Sequence, residues 1–451
     1  MTQLSEAVAR YHKILESNSY KDLAWAEALS QRMKESGLFV SARPVCPVLR
    51  PHFLSHRQYA SLAKYSELLL SSIGRVKQIA LSTPALQARM ELLPAEKMLA
   101  SIDPGYSHHS VTSLLESCVD NGSVRFMDYV ADGPLGIAYG EILSNLFLET
   151  APVKEFKKRY GLTKMAGSKS LLHAILKSYK EFGGRKTPNL AIVELRQPFQ
   201  TIESAEYQLL ADAFGKLGYP AQVVNLDQIE YRNGILRRGD YTIDLVYRCV
   251  KVQDFLIRYD LTHPLVRAYK DRAICMVNSF RAELAQKKAI FDLLTDEDIT
   301  QSFPAAERRV IRDSIPWTRV VNDATTIYQD RQVDLVEFIQ KNRKTLVLLP
   351  NDENSDHHEF RGWETDEAGW DRALKTALRV PYVVQEKTEP AVSTFPLYQW
   401  GSVEMRPLRV DVHPHTFLGK AQGCSSWLSA VDPGRFSTLS GIAPTFVIEG
   451  K

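Results

Sequence analysis

Apolar positions change their spacing repeatedly along this chain, and each change marks a predicted element. Leu4, Val8, Tyr11 and Leu15 recur at helical spacing. Residues 4–16 therefore read as a helix, and 20–36 as a second one stopped at Gly37. The prolines of PVCPVLRP break the pattern, and 56–82 resume it as a long helix. SVRFMDYV alternates as a strand through Val124 and Phe126 and, less perfectly, Met127 and Tyr129. The turn ADGPLG separates it from a helix over 135–148. Further on, helices over 168–182 and 202–217 alternate with the apolar runs NLAIVEL, AQVVNL and TIDLVYR. Strands and helices in this alternation predict an α/β layer with parallel pairs. Asn233-Gly234 signals a hairpin, and GGRKT (183–187) reads as a helix stop and linker.

Residues 263–319 are mostly helical in pattern, with short strands at ICMVN and IPWTRVV. The stretch 345–386 then reads as strand (TLVLLP), polar loop, helix (366–379) and strand (YVVQE). Asp366 lies near the start of that helix, and Trp370, Leu374 and Ala377 form its apolar stripe. Residues 403–429 predict a long β-hairpin, DPGRFSTLSGIAP a loop, and TFVIE a final strand.

The chain has 451 residues, enough for two or three domains and a large core. With 44% hydrophobic and 24% charged residues and a net charge of +3, it is ordinary for a soluble protein. Mixed signs at that balance predict neither nucleic acid nor membrane as a partner. No apolar run nears the ~20 residues that span a bilayer, and MTQLSEAVARYHK has no signal-peptide core. The five cysteines are scattered without a CxxC pair. Reduced, buried thiols in a cytoplasmic protein are expected, with no structural zinc or iron–sulfur site.

Candidate chemistry is sparse. His413 and His415 share a strand face but lack a third zinc ligand, so they read as exposed strand histidines. His108-His109 and His357-His358 read as solvated loop residues. GCSSW holds serines with no local base, and no GxSxG elbow is present. Glu116 and Asp128 flank a hairpin-like turn marked by Asp120-Asn121-Gly122, so they can meet in space. Two carboxylates with phosphate oxygens are the usual surroundings of Mg²⁺.

Several blocks together resemble the circularly permuted ATP-grasp family related to glutathionylspermidine synthase. They are RFMDYVADGPLGIAYGEIL (125–143), IDLVYRCV (243–250), the segment 263–297, IPWTR (315–319), LVLLPNDE (346–353) with GWE (362–364), PYVVQE (381–386) and the C-terminal Gly-containing loop. They run over about the last three-quarters of the chain. The resemblance implies a mixed α/β fold in three parts. These are a helical N-terminal region whose strand–turn–helix joins the ATP-grasp core (1–160), a Rossmann-like layer (161–260), and an ATP-grasp-like lobe with the C-terminal hairpin (261–451). It also implies that the strand holding Asp128 packs beside that hairpin.

By the same resemblance, the activity is an ATP-dependent carboxylate–amine ligation on a small amino acid or peptide. ATP and Mg²⁺ would be the cofactors. Lys288 or Lys287 matches a nucleotide-side lysine, and Gln385 and Glu386 match the hinge at adenine and ribose. Asn351 and Asp352 keep a PND turn. Glu116 and Asp128 match the metal acids, with Asp and Glu exchanged. Other positions depart from the pattern. The phosphate lysine is Leu349, and Lys344, five positions along the strand, points to its opposite face. The glycine-rich loop is ENSDHHEF, with acidic groups where phosphates would lie. A metal-binding Asn is Val130, expected arginines are Leu114 and Trp427, a loop Asn is Phe436, and GGG is LSG (439–441). The departures imply impaired or lost ATP and Mg²⁺ chemistry. The alternative they raise is a pseudoenzyme scaffold for a protein partner, such as an intact paralogue, or for a non-nucleotide small ligand.

Overall fold

The structure is a computed structural model that describes residues 2–40, 43–108, 110–120, 122–195, 205–352, 358–399, 401–431 and 439–450. Asn121, His109, His357, Phe436, most of the acidic loop and the DPGRFST segment lie outside these residues, as does the predicted start of a helix at 202–204.

The longest predicted helix runs His56–Ser82. Its start is set by a capping box, in which the Ser55 side chain accepts the Gln58 amide at 3.2 Å. The predicted parallel layer is a four-stranded sheet in the order Cys275–Val277, Leu245–Arg248, Leu190–Glu194, Ala221–Asn225, every pair parallel. TIDLVYR is not one strand. Tyr241–Ile243 joins the hairpin of Glu230–Arg232 and Ile235–Arg238, and only Leu245–Arg248 enters the parallel sheet. Asp244 divides them, its carboxylate accepting the Asn189 amide at 3.0 Å.

The sheet that organises the molecule joins distant parts of the chain. Its order is Ser440–Ala443, Lys420–Ala430, Ser402–Phe417, Thr112–Asp120, Ser123–Val130, with Val392–Gln399 on the first half of Ser402–Phe417. The hairpin Thr112–Val130 thus lies beside the C-terminal one, but through Thr112–Asp120, with Leu114 opposite His415; the strand holding Asp128, expected in that place, is the outer one. Residues 440–443 are an edge strand here rather than loop. A third sheet places Thr445–Gly450 between His52–Ser55 and Tyr160–Lys164. A fourth, wholly antiparallel, has the order Thr318–Val320, Tyr382–Glu386, Leu346–Pro350, Phe360–Arg361.

One irregularity explains the imperfect alternation of SVRFMDYV. A bulge sets Glu116 opposite Asp128 but Ser117 opposite Phe126, so Met127 is the extra residue. One added residue moves every later side chain to the other face. Val124 and Phe126 therefore face the core before the bulge, and Tyr129 after it. All five cysteines are free, four of them buried. Among the described residues, no helix is long and apolar enough to cross a membrane.

Candidate functional site

Glu116 and Asp128 are direct cross-strand partners in the central sheet. Residues so paired point to one face, with Cβ atoms about 4.5–5.5 Å apart. Asp128 is buried and is held from two sides. Its Oδ1 accepts its neighbour's amide, that of Tyr129, at 2.8 Å, and its Oδ2 lies 2.5 Å from Lys288 Nζ.

Lys287 and Lys288 fall in a break that the sequence pattern hides. The predicted helix is interrupted between the 3₁₀ turn Phe280–Ala285 and the helix Ala289–Leu294. Asn351 accounts for that geometry. Its carbonyl accepts the Lys288 amide at 3.1 Å, and its Oδ1 accepts the Ala289 amide at 2.9 Å. Its Nδ2 donates to the Met90 carbonyl at 3.0 Å. The PND turn thereby caps the helix start and sends the two lysines in different directions.

Lys287 Nζ lies 2.7 Å from Glu96 Oε1 and 2.6 and 2.7 Å from the two Asp352 oxygens, with no solvent exposure. Glu96 also accepts the Leu93 amide at 2.7 Å, so it closes its own helix and neutralises the lysine together. A charge pair at 4 Å contributes about 4 kcal/mol at an effective dielectric of 20, against the cost of burying both ions. Beside this triad, Arg89 binds Asp292 at 2.9 Å and Asp296 at 2.7 Å, and Arg319 lies 3.8 Å from Asp292. Burial lifts the Asp292 carboxyl above its usual value even with the two arginines beside it.

Gln385 and Glu386, expected as the hinge, are also engaged. Gln385 is buried and donates to Thr318 Oγ1 at 3.0 Å. Glu386 accepts the Trp317 amide at 3.2 Å and the Tyr328 hydroxyl at 2.8 Å. The Tyr328 ring lies edge-on to Trp317 and against Phe338. Leu349 packs with Ala289, Val320 and Val383, an apolar patch where a phosphate lysine was expected by resemblance. Lys344 does not lie on the strand at all; it is an exposed residue in the turn Arg343–Thr345. Leu114 is buried, and Val130 partly so.

Mg²⁺ needs carboxylate oxygens turned toward it, and phosphate needs cationic charge not already neutralised. Asp128 faces an ammonium, and Lys287 faces two carboxylates. Among the described residues, these groups as arranged do not fit a magnesium–nucleotide complex. Among the described residues, no group of three or more His, Cys, Asp or Glu is placed to hold a metal.

The histidines of the C-terminal hairpin are buried, not exposed. Burial pushes His413 down to about 4 and His415 to about 3. His413 stacks on Trp427 at 5.8 Å, the position expected to be an arginine. The serines of GCSSW do have histidine neighbours. Ser425 Oγ is 3.1 Å from His415 Nε2, and Ser426 Oγ is 2.7 Å from His52 Nδ1. Both serines are buried at 1% or less, so these bonds tie strands together rather than face a substrate. The partners are 10 and 374 residues apart in the chain, and no local pattern carries that signal.

No protein-family model matches this chain, and no curated protein does. In its fold the chain is similar to a glutathione synthetase-like effector from Globodera pallida in apo form, at 12% identity, with 94% of this chain and 96% of that one covered and a TM-score of 0.59. It also aligns with a protein named as a gamma-glutamylcysteine synthetase from Methylobacillus flagellatus, at 8% identity over 86% of each chain, but a TM-score of 0.42 carries no argument. The first likeness shows the fold alone, a mixed α/β architecture, as expected from the sequence.

Proposed function

We propose that this chain is a circularly permuted ATP-grasp protein of carboxylate–amine ligase descent that has lost ordinary ATP and Mg²⁺ chemistry and acts as a pseudoenzyme scaffold. The observation that carries this reading is the 2.5 Å pair between Lys288 and Asp128. A nucleotide-side lysine and a metal acid neutralise each other, and the neighbouring Lys287 is closed off by Glu96 and Asp352. The pairing of Thr112–Asp120 with Ser402–Phe417 supports the permuted order. Cytoplasm is the proposed compartment, and a protein partner, such as an intact paralogue, the proposed ligand.

Thermal unfolding with millimolar ATP and Mg²⁺ tests the reading. A ligand at 100-fold over its Kd stabilises a protein by about 2.7 kcal/mol. No shift is expected, and a nucleotide-dependent rise in Tm overturns the reading. Failure to recover any protein partner at native levels would count against the scaffold role.

A second reading, an active ligase acting on a small amino acid or peptide, has one observation in its favour. Glu116 and Asp128 keep the cross-strand register that a two-carboxylate metal site needs. ATP turnover dependent on an added amino acid or peptide would establish it.

A further inference from the structure

The two halves of Ser402–Phe417 differ in what lies beside them. From Leu408 onward it pairs with Lys420–Ala430 on one side. From Ser402 to Arg409 it pairs with Val392–Gln399 on the other. Among the described residues, no strand therefore covers the first side of Val403–Pro407. Opposite residues of an antiparallel pair alternate between turning their main-chain groups toward each other and away. The Val410 amide donates to the Ala391 carbonyl at 2.8 Å, and the Pro396 carbonyl, opposite Met405, turns away to accept the Leu49 amide at 2.8 Å. That phase sets the N–H and C=O of Val403 and Met405, and the C=O of Pro407, along the uncovered edge. Such an edge is a template for a further strand. Val403 and Met405 are exposed and share one sheet face with the exposed Val392. Glu404 and Arg406 share the other face, 2.7 Å apart.

We propose that Val403–Pro407 is a self-association surface, on which two copies of this chain join edge to edge, antiparallel, about a two-fold axis at Met405. Main chain and charge select this register together. With the axis at Met405, the Met405 and Val403 amides donate to the Met405 and Pro407 carbonyls of the other copy. Pro407 has no N–H, and in this register it serves as an acceptor. Glu404 of each copy then stands opposite Arg406 of the other, and Met405 meets its own counterpart on the apolar face. An axis at Glu404 or at Arg406 instead sets like charges face to face, which is unfavourable between strands. A two-fold contact uses up the edge of both copies, so assembly stops at a dimer. A contact this short is small for an interface, so the dimer is reversible and depends on concentration. The inference stands on the sheet edge and is independent of the proposed loss of nucleotide chemistry.

The test is sedimentation equilibrium of the full-length chain over a concentration series, without nucleotide. Wild type should rise from the chain mass of 51.1 kDa toward twice that value. Glu404→Arg and Arg406→Glu should each raise the dimer dissociation constant at least about tenfold, because each sets like charges across the axis. Mixing these two variants should restore a dimer, since every replaced charge again meets its opposite. The double swap, Glu404→Arg with Arg406→Glu, should dimerise by itself. Thermal unfolding of each variant should stay near wild type, because both side chains reach solvent. A wild type that is monomeric throughout, its edge left to solvent or to a different protein, overturns the proposal. So does a dimer that survives both single variants, and so does a mixture of folded single variants that stays monomeric. If a single variant fails to fold, the double swap decides, and a monomeric double swap overturns the register.

Discussion

The Glu206 carboxylate accepts the Gly136 amide at 2.7 Å, at the amino end of the helix Ile137–Leu148. Its other oxygen accepts the Ala138 amide, also at 2.7 Å. A helix amino end carries partial positive charge and unpaired amides, so a carboxylate is a suitable cap. This cap comes from a helix 70 residues away in sequence and is fully buried. Gly136 adopts φ +99°, and a Cβ there would lie 2.7 Å from Ser425 Oγ, so glycine is required at this contact.

Burial lifts Glu206 from the ordinary 4.5 to about 7, although the backbone amides pull the other way. The folded state therefore binds a proton more readily than the unfolded chain between pH 4.5 and 7. Stability from this group is greatest at low pH and is lost as pH rises through that window. The stability difference between wild type and Glu206→Gln should change by about 2–3 kcal/mol between pH 5 and pH 8. Urea unfolding at the two pH values measures it, and a constant difference would show that Glu206 does not titrate in this range.

The buried His413 and His415 and the part-buried His52 give the opposite slope. His52 and His415 are pushed down to about 3 and His413 to about 4, in each case first by burial. The unfolded chain takes up these protons below pH 6.5 while the folded one resists. Stability is therefore complete above pH 6.5 and falls as pH drops toward 4. Glu206 opposes this slope, so Glu206→Gln should show a steeper acid loss than wild type, and His413→Gln a shallower one. Proton NMR titration of the imidazoles should find all three neutral at pH 5.5; a charged His415 at that pH would contradict its burial.

Lys287 holds two carboxylates without solvent exposure. Lys287→Met leaves Glu96 and Asp352 facing each other and should cost about 3–5 kcal/mol. Adding Glu96→Gln and Asp352→Asn should recover most of it. Chemical unfolding at neutral pH compares them. A loss below ~1 kcal/mol in the single variant would mean that the triad contributes no more than a surface pair.

Glu386 and Tyr328 test whether the expected hinge is committed internally. A double-mutant cycle with Glu386→Gln and Tyr328→Phe should give a coupling of about 1 kcal/mol, below the ~1.5–3 kcal/mol typical of a charged hydrogen bond because both groups are part-exposed. Zero coupling would leave Glu386 available to a ligand and favour the ligase reading.

Much of the fold is legible in the sequence because its signals are local. The His56–Ser82 helix combines apolar spacing with an adjacent capping box, and Asn233-Gly234 turns its hairpin with φ of +52° and +74°. Thr112–Asp120 is harder to read. Six of its nine residues are buried, so it shows no alternation. The broken helix around Lys287-Lys288 is hidden for another reason. The local pattern favours helix there, and the group that competes with it is Asn351, more than 60 residues on.

By itself the sequence determined where most helices and strands lie, the α/β alternation, the reduced thiols and the candidate acids and lysines. Tertiary structure alone decided what those charges do. Asp128 meets Lys288 across 160 residues of chain, and Lys287 meets acids at positions 96 and 352. Periodicity follows from backbone geometry repeated residue by residue, so it is written locally. Coulomb energy depends on distance in space and on how much water lies between the charges. Neither quantity exists for these pairs until the sheets and helices have packed.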